Sequence, residues 1–279
     1  MTVAVETLSE TAFAKINLAL HVRARRPDGY HEIETLFAFV DGGDRLRAEP
    51  ADNLTLTVSG PFAGEVGEGE DNLVVRAAMA LADAAGGGAG ARIMLDKMLP
   101  VAAGLGGGSA DAAAALRLLV RLWGINPATL DFPLIARTLG ADVPACLASA
   151  TLFGTGVGER LEPVDLDLSG RPVLLVNPRL PCPTGPVFAA WDGVDQGALD
   201  PEEWQSGRND LEEPARRLVP EIGEVLAALA AQPGAVLSRM SGSGATCFAL
   251  FGDARACDMA ETAIRAIHPG WWTMTGALR

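Results

Sequence analysis

The 279-residue sequence predicts an α+β protein of two domains, residues 1–165 and 166–279. Three observations carry that prediction. Near the N-terminus apolar and polar positions alternate as they do in antiparallel strands. From Asp71 the period lengthens to that of a helix, and a glycine cluster (Gly104, Gly106, Gly107, Gly108) then runs into an alanine- and leucine-rich amphipathic stretch that stops at Gly124. At VDLDLSGRP, Val164 to Pro172, polar and breaker residues collect; beyond it strands and helices alternate as in an α/β sandwich layer of about 110 residues.

In chain order, ETAFAKINLALHV alternates as a strand, with Ala14, Ile16, Leu18 and Leu20 on one face and Phe13, Lys15, Asn17, Ala19 and His21 on the other. PDG at Pro27 to Gly29 is a turn, because proline presets φ and glycine accepts the left-handed position. TLFAFV, DRLRAE and NLTLTVSG are further short strands of an antiparallel meander. DNLVVRAAMALADAAGGG has a cap, helical spacing and a glycine stop, and ARIMLD is a strand before the glycine cluster. NPATLDFPLIARTLG is a short helix ended by Gly140, ADVPACLAS begins another with Asp142 near its start, and ATLFGTGVGERLEPV is a closing strand pair. The second half reads as strand PVLLVNP, a proline-rich turn into a short helix at PCPTGPVFAAWD, a helical pair over SGRNDLEEPARRLVPEIGEVLAALAAQPG, strand–glycine turn–strand at AVLSRMSGSGATCFALFG, helix DARACDMAETAIRAI and strand WWTMTGAL.

The chemistry-bearing stretch is LPVAAGLGGGSADAAAALRLLVRLWG, Leu99 to Gly124. Glycines without a Cβ let backbone N–H groups close on a ligand, Ser109 reads as the N-cap of the following helix, and Asp111 complements its positive end. Amides at such a helix start suit a phosphate; a bare glycine linker is the alternative, which the uninterrupted run into the helix disfavours. Two other phosphate motifs are excluded: no lysine follows the glycines, and Ser109 stands where the third glycine of a dinucleotide fingerprint belongs. Lys15 and Asn17 project together about 7 Å apart along their strand, either into a site or from a solvated face. Tyr30 and His31 follow the turn, where they can be aimed into a cleft or simply anchor the turn. Asp142 is either a helix cap or a functional carboxylate.

Composition narrows the function classes. With 49% hydrophobic and 20% charged residues the chain is globular, and 22 basic against 35 acidic residues give 22 − 35 = −13, which argues against duplex nucleic acid as a partner. Any anionic ligand must therefore be held locally. Only Lys15 and Lys97 are lysines, against 20 arginines, so each lysine merits a role. Cys146, Cys182, Cys247 and Cys257 form no C-x-x-C pair, so neither zinc nor a disulfide framework is expected. MTVAVETLSE has no signal-peptide pattern and no apolar run reaches membrane-spanning length, so a cytoplasmic protein without membrane contact is expected.

AKINLAL, RRPDGYHEIETLF, PVAAGLGGGSADAA, LGADVP, FGTGVGE and MSGSGATCFALF occur in the order and spacing of the GHMP kinase superfamily, which the chain resembles from Ala14 to Phe251. The GLGGGS loop marks the superfamily in general. AKINL and DGYH resemble the branch that acts on a cytidyl-diphosphate-linked methylerythritol. The resemblance implies a domain like the second domain of ribosomal protein S5 followed by a ferredoxin-like domain. It implies transfer of the ATP γ-phosphoryl group to the substrate's 2-hydroxyl, in the non-mevalonate route to isoprenoid precursors, by a monomer or homodimer.

By motif, Lys15 and Asp142 are then the catalytic pair: Asp142 accepts the hydroxyl proton while Lys15 keeps that carboxylate ionised and steadies the incoming charge. Pro100, Val101, Ala102, Ala103, Gly104, Leu105, Gly106, Gly107, Gly108, Ser109 and Ala110 wrap the ATP phosphates, with Asn72 by the adenine. Tyr30, His31, Phe37 and Phe188 enclose the cytosine ring, and Asn17 and Thr184 make polar contacts to the substrate. Mg²⁺ accompanies the ATP, with its protein ligands open. Ala102 and Ala103 depart from a family pattern that often has a glycine after the proline, and Phe188 lies in a variable turn. A different small-molecule kinase of the superfamily, or a nucleotide-binding module without turnover, are the competing readings; the Tyr30–Phe37 cluster argues against the first and retention of both Lys15 and Asp142 against the second.

Overall fold

The structure is a computed structural model that describes residues 7–87 and 90–279; the MTVAVE start and Gly88, the last glycine of the expected helix stop, lie outside the described residues. β1 (Leu8–Arg25) and β2 (His31–Ala51) are joined by the PDG turn, in which Gly29 has φ +89° and Asp28 Oδ1 accepts from Tyr30 N at 3.1 Å. β3 (Thr55–Ser59) precedes α1 (Leu73–Ala84), and β4 (Gly90–Asp96) leads through the glycine loop into α2 (Gly107–Leu122). α3 (Phe132–Leu139) has Pro133 in its first turn behind Asp131, whose Oδ1 accepts from Leu134 N at 3.0 Å; α4 (Val143–Ala148) begins directly after Asp142. β5 (Leu152–Thr155) and β6 (Arg160–Pro163) close the first half. Then follow β7 (Pro172–Asn177), α5 (Thr184–Ala189), α6 (Glu212–Leu218), α7 (Glu221–Ala230), β8 (Ala235–Met240), β9 (Cys247–Phe251), α8 (Ala254–Ile267) and β10 (Trp272–Ala277).

Three details differ from the sequence reading. TLFAFV and DRLRAE are one strand, because the DGGD between them is no turn: a Cβ on Gly43 would collide with the backbone at Ala12 O, so that glycine serves a close approach of chains. β3 is no meander strand but pairs in parallel with β4, from Thr55 opposite Arg92 to Ser59 opposite Asp96. Ser109 is not an N-cap, since α2 begins at Gly107 and puts Ser109 inside its first turn. Of the two readings of the Lys15 face, the solvated one is set aside over the middle of β1, where every residue from Ala14 to Val22 is buried.

The described residues form two compact units that interleave along the chain: residues up to Ala14 with Gly43–Val101 and Gly107–Ala148, and Lys15–Gly42 with Ala102–Gly106 and Ser149–Arg279. In the first unit the Arg45–Ala51 part of β2 pairs antiparallel with β4. There α2 packs on α1 and α4, and α3 on α1 and α4, through residues such as Val74, Leu81, Leu116 and Leu119. In the second unit β10-β7-β9-β8 make a four-stranded antiparallel sheet, with α7 on β8 and β9 and α8 on β7, β9 and β10. Leu174, Val176, Val225, Leu229, Cys247, Ala249 and Ile264 form its core. Among the described residues no helix is long and apolar enough to cross a membrane, and all four cysteines are buried and unbridged.

Candidate active site

The glycine loop shows how its sequence becomes a cradle. Positive φ recurs at Ala102 (+50°), Gly104 (+77°) and Gly106 (+61°), with the intervening residues in the ordinary region. Alternation of handedness of this kind turns successive amides toward one side, the backbone pattern of nests that bind anions in other proteins. The carbonyls are meanwhile committed to protein. Thr246 N donates to Ala103 O at 3.2 Å, Ser241 Oγ to Gly104 O at 2.7 Å and Lys15 N to Leu105 O at 3.0 Å. Three successive carbonyls are thus held by β1 and by the glycine turn between β8 and β9. At Gly104 a side chain is impossible, because a Cβ would overlap Ser241 O.

Strand alternation puts Lys15 and Asn17 side by side, as expected, and the structure links them. Lys15 Nζ donates to Asn17 Oδ1 at 2.9 Å, Asn17 Nδ2 donates to Thr35 Oγ1 at 2.7 Å, and Thr35 Oγ1 donates to Ala19 O at 2.7 Å. Asn17 N donates to Ser241 Oγ at 3.2 Å, so the same hydroxyl serves the loop and β1. Lys15 is 4% exposed, with its ammonium 5.2 Å from the centre of the Phe37 ring. A lysine this buried is uncommon unless its ammonium is paired.

The expected cytosine residues divide. His31 lies 5.0 Å from the Phe188 ring, tilted, and 5.8 Å from Trp191, edge on. Its Nε2 accepts from Arg25 Nε at 3.3 Å, which leaves Nδ1 to carry the proton of the neutral ring. Burial, and then the Arg25 charge, hold His31 below the usual histidine range. Tyr30 stands out into solvent at 63% exposure and offers a free ring face. Phe37, buried beneath Lys15, belongs with the ammonium. Thr184 opens α5, and its Oγ1 lies 2.9 Å from Ser243 Oγ in the same glycine turn.

Asn72 and Asp142 belong to the first unit. Asn72 caps α1, accepting from Val74 N at 2.8 Å and donating to Gly67 O at 2.6 Å. Asp142 is half-buried and its backbone carbonyl accepts from Cys146 N at 3.0 Å. Gly107 to Ala110 form the first turn of α2, where unpaired amides and the helix dipole favour an anion.

The sequence reading quoted MSGSGATCFALF but assigned nothing in it. Ser241, Ser243 and Thr246 are its contributions, and Asn209 steadies the turn by donating to Met240 O and Gly242 O, both at 2.8 Å. Serines spaced by glycines in a turn were the available signal. Trp191, buried with its Nε1 unpartnered among the described residues, and Arg25 were also missed. Only their contacts reveal them.

Comparison with known proteins shows the family. Residues 72–150 match the family model for the GHMP kinases N terminal domain and residues 192–267 that for the GHMP kinases C terminal. A protein named 4-diphosphocytidyl-2-C-methyl-D-erythritol kinase from Rhizorhabdus wittichii is 58% identical, over 97% of this chain and 94% of its own. One of the same name from Novosphingobium aromaticivorans is 56% identical, over 98% and 93%. A crystal structure of 4-(cytidine 5'-diphospho)-2C-methyl-D-erythritol kinase superposes with a TM-score of 0.84 at 40% identity, covering 97% of this chain and 99% of its own. Homoserine kinase from Cytophaga hutchinsonii, at 18% identity and a TM-score of 0.72, shares the fold.

Proposed function

The chain belongs to the 4-diphosphocytidyl-2-C-methyl-D-erythritol kinases of the GHMP family, and from that membership we propose that it transfers the γ-phosphoryl group of ATP to the 2-hydroxyl of 4-diphosphocytidyl-2-C-methyl-D-erythritol. It is an enzyme of non-mevalonate isoprenoid precursor synthesis and releases ADP. The observation that carries the reading is the loop Ala102–Gly106, with its alternating φ and its three fixed carbonyls. Phosphoryl transfer asks a protein for position and charge more than for covalent chemistry, and such a preorganised loop supplies position.

Roles follow from the motifs. Asp142 of LGADVP accepts the proton of the attacking hydroxyl, and Lys15 of AKINL steadies the negative charge of the transferring group. Asn17 holds the Lys15 ammonium in place. Pro100 to Ala110 bind the phosphates through backbone amides, with Asn72 close to the adenine. Tyr30, His31 and Phe188 take the cytosine by stacking and edge hydrogen bonds, Phe37 backs the site from beneath Lys15, and Thr184 makes a polar contact. Mg²⁺ accompanies the ATP. Phosphate oxygens and water supply most of its shell; among the described residues no group of three acidic, cysteine or histidine side chains is placed to hold a metal. The enzyme works in the cytoplasm as a monomer or homodimer.

The test is a phosphorylation assay over a panel of alcohols with mass detection of the product and ADP release measured in parallel. The cytidyl compound is expected to be preferred by orders of magnitude, because binding energy remote from the hydroxyl orients it. Equal use of free methylerythritol phosphate would move the chain to another substrate within the family. No ADP release with any alcohol would reduce it to a binding module.

A further inference from the structure

Lys97 takes no part in the roles above, although it is one of only two lysines in the chain. It follows β4 directly and is 2% exposed. Its ammonium donates to Asp44 Oδ2 at 2.5 Å and to Asp111 Oδ2 at 2.7 Å. Asp44, on β2, uses its other oxygen to accept from the amides of Met98 at 2.6 Å and Leu99 at 2.8 Å, where the chain enters the glycine loop. Asp111 stands in α2, where the loop leaves. One ammonium and two carboxylates therefore tie entrance to exit.

Stability alone is a poor reason for this arrangement. Two carboxylates on one ammonium leave a negative charge in a dry site, and desolvation of buried charges commonly cancels their attraction. Asp111 Oδ1 has no hydrogen-bond partner among the described residues, and burial pushes this carboxyl up, with Asp44 adding to the shift and Lys97 opposing it. What the triad offers over apolar packing is a fixed length. There is little slack in it, since a Cβ on Gly107, the first residue of α2, would lie 3.1 Å from Lys97 Nζ.

The geometry points to Asp44, Lys97 and Asp111 as a positioning staple for the nucleotide: it sets the span between the two ends of the glycine loop, so that the loop's amides are spaced for phosphate before ATP arrives. This inference rests on the loop being the ATP cradle. Preorganisation of this kind acts on ATP affinity and leaves the second substrate alone.

Two variants separate span from charge. Asp111→Asn keeps the length and an acceptor for Lys97 but drops the charge; Asp111→Glu keeps the charge and adds a methylene. ATP Kd by calorimetry, KM for both substrates, kcat and Tm are measured on the full chain. Asp111→Asn is expected to bind ATP within about twofold of wild type and Asp111→Glu about tenfold or more weakly, since a misplacement near 1 Å is costly. KM for the alcohol should stay within about threefold in both. Should Asp111→Glu not fold, Asp44→Glu lengthens the staple from its other side and is read the same way. Unchanged ATP affinity in the lengthened variant, even with a lowered Tm, overturns the staple, as does an equal loss in Asp111→Asn. A wild-type protein that binds no ATP would instead overturn the loop's assignment and the staple with it.

Discussion

Gly104→Ala tests the central claim about the loop. Gly104 has φ +77°, where an alanine costs about 1–2 kcal/mol. The new Cβ would overlap Ser241 O and stand 3.0 Å from Gly244 O, and both are backbone atoms that cannot swing aside. Ordinary contact begins near 3.4 Å, so loop and turn must part by about 1 Å. That parting strains the bonds from Ser241 Oγ to Gly104 O at 2.7 Å and from Thr246 N to Ala103 O at 3.2 Å, each worth about 1 kcal/mol net. The total is about 3–4 kcal/mol, a large share of the usual 5–15, so the variant folds but melts earlier. Displacing the cradle by about 1 Å should also cost about 10² in kcat/KM for ATP. Gly107→Ala is the comparison: its φ is not left-handed and its Cβ would meet side-chain atoms, the nearest being Lys97 Nζ at 3.1 Å, so it is expected to lose less stability than Gly104→Ala. Thermal unfolding and ATP-dependent kinetics on both variants decide the matter. Gly104→Ala retaining kcat/KM within about threefold, or equal loss of stability in the two variants, would refute the reasoning.

Other outcomes are expected. Asp142→Asn preserves shape and capping, so Tm should stay put while kcat falls by roughly 10²–10⁴; a kcat within a few-fold of wild type would retire Asp142 as the base. His31→Ala should raise KM for the cytidyl substrate by roughly 10–100-fold, equivalent to about 1–3 kcal/mol of lost base contact, with KM for ATP unmoved. A change confined to Tm would make His31 only a turn anchor. Asp111 predicts a pH effect: its carboxyl is pushed up to about 7 by burial, so the folded state holds that proton more tightly than the unfolded chain. The associated stability is present below the ordinary carboxyl range and is lost as pH rises through about 7. Asp111→Asn, which cannot lose it, should gain on wild type by about 1–3 kcal/mol between pH 4 and pH 8 in chemical denaturation; a constant difference across that range would remove the effect.

How much was legible follows from what periodicity encodes. Alternation placed Lys15 and Asn17 on one face of β1, helical spacing with a cap and a glycine stop found α1, and DARACDMAETAIRAI marked α8 nearly to its ends, whereas α7 was legible only as part of a helical pair. Periodicity is blind to what covers a face. The covering of Asn17 comes from Ser241, 224 residues away, and no local pattern announces it. Glycine misled for a related reason. In DGGD it signals a turn by composition, yet at Gly43 it answers a neighbouring backbone, and only the packing distinguishes the two uses. The parallel pairing of β3 with β4 was likewise out of reach, since register and direction are set by partners rather than by a strand's own residues.

Residue scarcity carried further than motif in one case. A chain with 20 arginines and two lysines places lysine where a guanidinium does not serve. At Lys97 the reason is spatial. Two carboxylate oxygens at 2.5 and 2.7 Å, and a Cβ on Gly107 that would lie 3.1 Å from the same nitrogen, define a site for a compact point charge. A planar fork of five donors would need more room and more acceptors than are present there. At Lys15 the ammonium approaches an amide oxygen and an aromatic ring, with a strand buried on both faces behind it. On the proposed role, a compact ammonium with three rotatable donors turns from Asn17 to an arriving phosphoryl oxygen without moving that strand, whereas a planar guanidinium has to reorient as a whole. Lys15→Arg should therefore keep the charge and still lose turnover by about 10²-fold or more, with Tm lowered by the bulk forced under the strand. Wild-type kcat in that variant would show that only the charge at this position matters.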